Sequence, residues 1–185
     1  MALQSAMIDL GTPAPAFSLP DVVSGRTMSL DTFEGSKALL VMFICRHCPF
    51  VVHVQQELAR IGRDYQPKGV GIVAISANDA VTHPDDRPER LKEQAEEQGF
   101  VFPYLHDESQ SVARAYDAVC TPDFFLFDDS RRLVYRGQLD GTRPGKGVAD
   151  GRDLRAALDA VLSGRPVNPE QHPSAGCGIK WKAGS

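Results

Sequence analysis

The stretch from Ala38 to His53, ALLVMFICRHCPFVVH, constrains the fold more than any other part of the chain. Ala38 to Ile44 is uninterruptedly apolar, and the run stops abruptly at Cys45-Arg46-His47-Cys48-Pro49. A short apolar run with so sharp a boundary suits a strand buried on both faces. Beyond Pro49, apolar residues recur at Val51, Val54, Leu58 and Ile61, with Gln55, Gln56, Glu57 and Arg60 between them. That is helical spacing. The β-branched cluster at Val51, Val52 and Val54 favours a strand, but the continuing period outweighs it. A C-x-x-C pair therefore stands where a buried strand becomes a helix. Helix N-terminal N–H groups and their positive potential stabilise a thiolate over a thiol, and the spacing lets the two sulfurs close a small disulfide ring. The predicted chemistry is that of thiols.

The remaining elements follow from punctuation and period. Residues 1–12 read as an arm, and Pro13, Pro15 and Pro20 around Phe17 lead into a short hairpin with a helical turn at Asp31–Glu34. Val70 to Ser76 is a second buried strand. The polar loop through Asn78-Asp79 and His83 to Pro88 opens a charged surface helix from Glu89 to Gln98, closed by Gly99. Phe102 to Leu105 is a short strand, and Ser109 to Ala118 a helix turning Val112, Ala115 and Tyr116 inward. Phe124–Phe127 and Leu133–Gln138 bracket a turn and predict an antiparallel hairpin. A glycine-rich loop, an amphipathic helix from Asp153 to Leu162 and a Pro/Gly-rich tail from 164 to 185 complete the chain. One domain, residues 1–185, is the expectation at this length. The order predicts an α/β sandwich around a mixed sheet.

A net charge of −4, with Lys and Arg scattered, gives no basis for nucleic-acid or membrane-surface binding. The start of the chain lacks a basic, apolar leader, and no run reaches the ~18 residues of a spanning helix. A cytoplasmic protein is expected. In a reducing compartment C-x-x-C indicates redox chemistry or metal binding. Half of a structural zinc site needs a second ligand pair; no second C-x-x-C exists, and Cys120 and Cys177 stand alone. Redox chemistry is the favoured reading. Copper(I), whose softness suits paired thiolates, remains the metal alternative.

Around Cys45 and Cys48, together with Pro13-Ala-Pro-Ala-Phe-Ser-Leu-Pro-Asp21, Cys120-Thr-Pro-Asp-Phe-Phe-Leu-Phe-Asp128 and Gly176-Cys-Gly-Ile-Lys-Trp181, the chain resembles the thioredoxin-like superfamily. Within it the chain is similar to redoxins related to the alkyl hydroperoxide reductase and thiol-specific antioxidant (AhpC/TSA) proteins. The resemblance implies a thioredoxin-like fold: a central mixed sheet flanked by helices, an N-terminal hairpin, and an insertion before a cis-proline hairpin. It implies that Cys45, at the start of the helix, is the exposed nucleophile and Cys48 the buried resolving thiol. Arg46 and protonated His47 would place positive charge beside the thiolate and lower its pKa, unless they are exposed bystanders. Thr121-Pro122 matches the cis-proline loop that faces the C-x-x-C and receives an extended substrate segment. Cys120 is either an inert buried thiol or a third thiol near the site. Cys177, between glycines in a mobile tail, is either an accessory resolving thiol or a simple exposed one.

One departure stands out. Thioredoxins carry a buried carboxylate in the strand before the active site; here Leu39 holds the matching position and Ala38–Ile44 contains no ionisable group. Proton transfer then falls to His47, water or Asp79. The expected activity is thiol–disulfide exchange on protein or small-thiol disulfides, with an unidentified redox partner, no organic cofactor and no resident metal, as monomer or homodimer. The rival is a thiol peroxidase, which in that branch needs P-x-x-x-[ST]-x-x-C. Measured back from Cys45 these positions hold Ala38 and Met42, so the activating hydroxyl is missing.

Overall fold

The apolar run becomes the middle strand of a five-stranded sheet in a computed structural model that describes residues 1–184. In chain order the elements are β1 (Leu3–Gln4), β2 (Ser18–Pro20), β3 (Thr27–Ser29), β4 (Ala38–Phe43), α1 (Pro49–Tyr65), β5 (Val70–Ser76), α2 (Pro88–Gln98), β6 (Tyr104–His106), α3 (Ser111–Ala115), β7 (Cys120–Thr121), β8 (Asp123–Phe127), β9 (Leu133–Gly137), α4 (Arg152–Leu162) and β10 (Ala175–Gly178). The sheet runs β6-β5-β4-β8-β9. β5 lies parallel to β4 and to β6, whereas β8 pairs antiparallel with β4 and β9. This is the mixed, helix-flanked sheet of a thioredoxin-like fold, with β2 and β3 as the expected N-terminal hairpin.

Alternation along β4 assigns each face its core. Ala38, Leu40 and Met42 pack with Val54, Leu58 and Ile61 of α1 and Leu154 and Leu158 of α4. Leu39, Val41 and Phe43 face the other way, onto Phe125, Phe127, Tyr116 and the hairpin residue Phe17. A strand covered on both faces has no polar positions, which is why the run is continuous. The helices end where their residues require. Pro49 opens α1 and Pro88 opens α2 at positions whose N–H has no intrahelical acceptor. Gly99 closes α2 in the left-handed conformation, donating to Ala95 and Glu96.

Several expectations need correction. The helix expected over 109–118 shrinks to α3, because Gln110 and Asp117 both adopt positive φ, at 65° and 54°. Ala113 rather than Ala115 turns inward there. The strand expected at 102–105 begins two residues later. Most consequential is the tail. β10 pairs antiparallel with both β1 and β7 in a separate three-stranded sheet, so the arm and the tail hold one another against the cis-proline loop. Among the described residues no helix is long and apolar enough to cross a membrane.

Candidate active site

β4 delivers Cys45 to the carboxyl edge of the sheet, where open α/β sheets place their sites. Ile44 still donates to Ile75 at 3.0 Å, and the chain then bends through Arg46 and His47. The helix begins one turn later than the motif suggested: Cys48, not Cys45, is the residue capping α1. The expected exposure of Cys45 is also wrong. Cys45, Cys48 and Cys120 are all completely buried, and Cys177 is the partly exposed cysteine. Burial follows from β10, which covers the site, and from α2, whose Gln94 donates to the Cys45 carbonyl at 3.2 Å.

The thiols interact unequally. Cys45 gives a hydrogen bond to Cys48, which is the largest influence lowering the Cys48 thiol to about 4. Burial opposes that shift, while the Cys177 thiol and the N–H groups of Val51 and Cys177 assist it. A sulfur at the helix cap facing backbone donors is the arrangement that stabilises a thiolate. Cys45 is correspondingly raised, by the bond it gives to Cys48, then by burial and by the nearby Asp86 carboxylate. The Thr121 hydroxyl sits 3.3 Å from the Cys45 sulfur. In its protonated form Cys48 can donate to the Thr121 carbonyl, 3.4 Å away.

The intervening residues divide. His47 Nδ1 lies 2.6 Å from Asp86 Oδ2, and its pKa is raised by that hydrogen bond, against the effect of burial. Charge on Cys48 raises it further, so His47 and the thiolate favour one another. The His47 ring also stacks on His83, with centroids 5.4 Å apart. Arg46 is a correction. Its guanidinium turns from the sulfurs to α2, donating to the Arg90 carbonyl at 2.6 Å and meeting Glu93 and Glu97 at 3.4 Å.

Asp86 is the residue the sequence reading missed. Fully buried, it accepts the Arg46 N–H at 2.8 Å, His47, and the Asn78 amide at 2.8 Å. Burial alone would raise its pKa; His47, Asn78 and the Arg46 amide together bring it below the usual carboxylate range. It lay in the polar loop before α2, with nothing local to separate it from Asp85. Asp79, the carboxylate considered from sequence, caps its own turn through Val81 and Thr82 instead. A second buried carboxyl, Asp123, follows the cis-proline on β8; burial raises its pKa, and Oδ2 has no partner among the described residues.

The Thr121–Pro122 peptide is cis. Its edge is occupied, however: Cys177 stands opposite Thr121 in the β7–β10 ladder. An extended substrate would have to displace β10 to use Thr121 and Pro122. Cys120 is buried, and its thiol is raised by that burial and by Asp123. Among the described residues its thiol contact is a long one, 4.0 Å to the Pro122 carbonyl. Cys177 belongs with Cys48. As to metals, Cys45, His47 and Asp86 bring ligand atoms within 4.8 Å of one another. The oxygens of Asp86 are already hydrogen-bonded, and a carboxylate is a poor ligand for copper(I).

The comparisons agree with this architecture. The AhpC/TSA family profile matches residues 10–136. The crystal structure of an uncharacterized conserved protein from Geobacillus kaustophilus is 54% identical, covering 100% of this chain and 98% of that one, with a TM-score of 0.97. A thiol:disulfide interchange protein from a Bacteroides species is 26% identical over 72% of this chain and 84% of that chain, with a TM-score of 0.60. A Mycobacterium tuberculosis protein provisionally named a peroxiredoxin is 29% identical over 58% of this chain, and the match spans 63% of that relative's length.

Proposed function

This chain belongs to the AhpC/TSA family, and on that premise we propose that it is a thiol–disulfide oxidoreductase whose working pair is Cys45 and Cys48. The observation that carries the reading is the convergence of both sulfurs on Thr121, Cys45 3.3 Å from its hydroxyl and Cys48, at the α1 cap, 3.4 Å from its carbonyl. The roles are the reverse of those expected from sequence. Cys48 is the thiolate that attacks a substrate disulfide, and Cys45 is the proton-bearing partner. In the first step Cys48 Sγ bonds one substrate sulfur and the other leaves as a thiolate. Cys45 then gives up its proton and attacks Cys48 Sγ, so the second substrate thiol departs and the Cys45–Cys48 disulfide remains. His47 stabilises charge on Cys48, and Asp86 holds His47 in place. The substrate is a disulfide-bearing protein or small molecule, and a separate thiol partner resets the pair.

A second reading, thiol peroxidase, rests on Cys48 standing at the helix cap before Pro49. Measured back from Cys48, the hydroxyl position of the peroxidase motif holds Cys45 and the proline position holds Val41. A thiolate at a helix cap followed by Pro49 can attack a peroxide oxygen to give a sulfenic acid. One experiment separates the readings. Reduced protein is exposed to hydrogen peroxide or to a small disulfide, and rates and products are compared. Fast formation of Cys45–Cys48 with the disulfide and slow oxidation by peroxide supports exchange; the opposite order supports the peroxidase. Copper co-purifying under reducing conditions, in place of either reaction, would point to a metal-handling role.

A further inference from the structure

The tail holds a third thiol against the pair. Cys177 sits on β10 opposite Thr121, and the Thr121 carbonyl lies 3.4 Å from the Cys48 sulfur. Cys177 packs against the buried cluster that contains Cys48, and its thiol and backbone N–H both help lower the Cys48 thiol. The glycines around Cys177 serve proximity rather than mobility. A Cβ on Gly176 would fall 1.8 Å from the Thr121 carbonyl oxygen, so only glycine lets the strand come so close. A Cβ on Gly178 would meet Leu3 Cδ1 at 2.9 Å.

The flanks are fastened independently. Ser174 Oγ donates to the Pro122 carbonyl at 2.5 Å, and Ile179 N–H to Val119 at 3.1 Å. The Lys180 carbonyl accepts the Asp79 N–H at 2.8 Å and the Gln110 amide at 2.9 Å. Ile179 is buried in the core. Cys177 is thus built into the site, yet it is the one cysteine of the four with solvent-exposed surface.

We propose that Cys177 is the exchange thiol of this centre, carrying disulfide equivalents between the buried Cys45–Cys48 pair and an external thiol through a Cys48–Cys177 disulfide. The proposal rests on Cys45–Cys48 being a redox pair. Starting from that disulfide, the Cys177 thiolate attacks Cys48 Sγ. The Cys45–Cys48 bond breaks, Cys48–Cys177 forms, and Cys45 leaves and takes up the proton Cys177 lost. No electrons are exchanged with the surroundings in this step. An external thiolate next attacks the accessible Cys177 Sγ, releasing Cys48 as a thiolate stabilised at the helix cap. A second external thiol resolves the mixed disulfide on Cys177. Two thiols have become one disulfide, and the protein has gained two electrons and one proton, the other proton passing to solvent because Cys48 stays a thiolate. Run backwards, the same steps reduce an external disulfide.

In the reduced protein Cys177 is raised to about 11 by burial and by its hydrogen bond to Cys48. The second cause vanishes once Cys48 is in a disulfide, while burial, the larger one, continues to raise the thiol.

The test uses the full chain with glutathione as the external thiol. Wild type, Cys177→Ser and Cys177→Ala are oxidised with a small cyclic disulfide, mapped by non-reducing peptide mass spectrometry, and then reduced with glutathione. We expect all three to form Cys45–Cys48, and both variants to be reduced at least tenfold more slowly. Cys45→Ser is expected to form the Cys48–Cys177 linkage. Equal reduction rates in wild type and both variants, or no Cys48–Cys177 linkage in Cys45→Ser, overturns the exchange role while leaving the redox pair intact. If Cys45–Cys48 forms in none of the proteins, the proposed function itself fails, and the relay with it.

Discussion

His47 Nδ1 lies 2.6 Å from Asp86 Oδ2, a pairing across 39 residues that ties the cysteine loop to the segment opening α2. The same carboxylate receives the Arg46 N–H and the Asn78 amide, so one buried oxygen pair fixes the backbone and the imidazole of the loop together. The Asp86 carboxylate and charge on Cys48 both favour the protonated form of His47.

This pairing has a defined pH window. The His47 pKa is raised in the fold, so its contribution is fully present below the unfolded value of ~6.5 and is lost as pH rises through the folded value. The Asp86 pKa is lowered, so its contribution is present above ~3.9 and is lost as pH falls through the folded value. Between these limits Asp86→Asn is expected to lower unfolding free energy by ~1–3 kcal/mol, with a smaller difference at alkaline pH. Urea unfolding across pH measures this, and a pH-independent difference would remove the ionic account.

Ultraviolet thiolate absorbance of the reduced protein should reveal one thiolate at mildly acidic pH, since its surroundings lower the Cys48 thiol to about 4. Cys48→Ser should abolish that signal. Cys45→Ala should retain it with a higher pKa, because the largest lowering influence is gone. A signal lost in Cys45→Ala and kept in Cys48→Ser would return the nucleophile to Cys45.

Gly176→Ala forces the two strands of the Cys177–Thr121 ladder apart, since the new Cβ overlaps the Thr121 carbonyl. A loss of ~1–3 kcal/mol is expected, typical of overpacking. Because β10 covers the thiols, alkylation of Cys48 should accelerate in parallel. Unchanged melting and unchanged alkylation would show that β10 does not seal the site.

Arg46→Ala should leave the Cys48 titration in place, as the guanidinium faces Glu93, Glu97 and the Arg90 carbonyl. Stability should fall by no more than ~1 kcal/mol, the range of exposed ion pairs. A clear rise in the Cys48 pKa would restore Arg46 to the electrostatics of the thiols.

The strand, the helix and the thiol pair at their junction were readable from local pattern. A doubly covered strand has no room for polar residues, and α1 shows its buried face at Val51, Val54, Leu58 and Ile61. Family resemblance added the loop at Thr121-Pro122, which is local in sequence as well. What the chain does not display in any short window is which distant groups meet. Asp86 looks like any loop aspartate until the fold buries it against Arg46 and His47. The glycines around Cys177 suggest freedom in one dimension, whereas in three they permit a contact too close for any Cβ. Burial of Cys45 and part of the lowering of the Cys48 thiol likewise depend on β10 lying over the helix cap, a pairing between segments far apart in the chain. Periodicity records which face of an element is covered, because burial repeats along it. It does not record what covers that face, because the partner is chosen by packing and strand pairing across the whole fold.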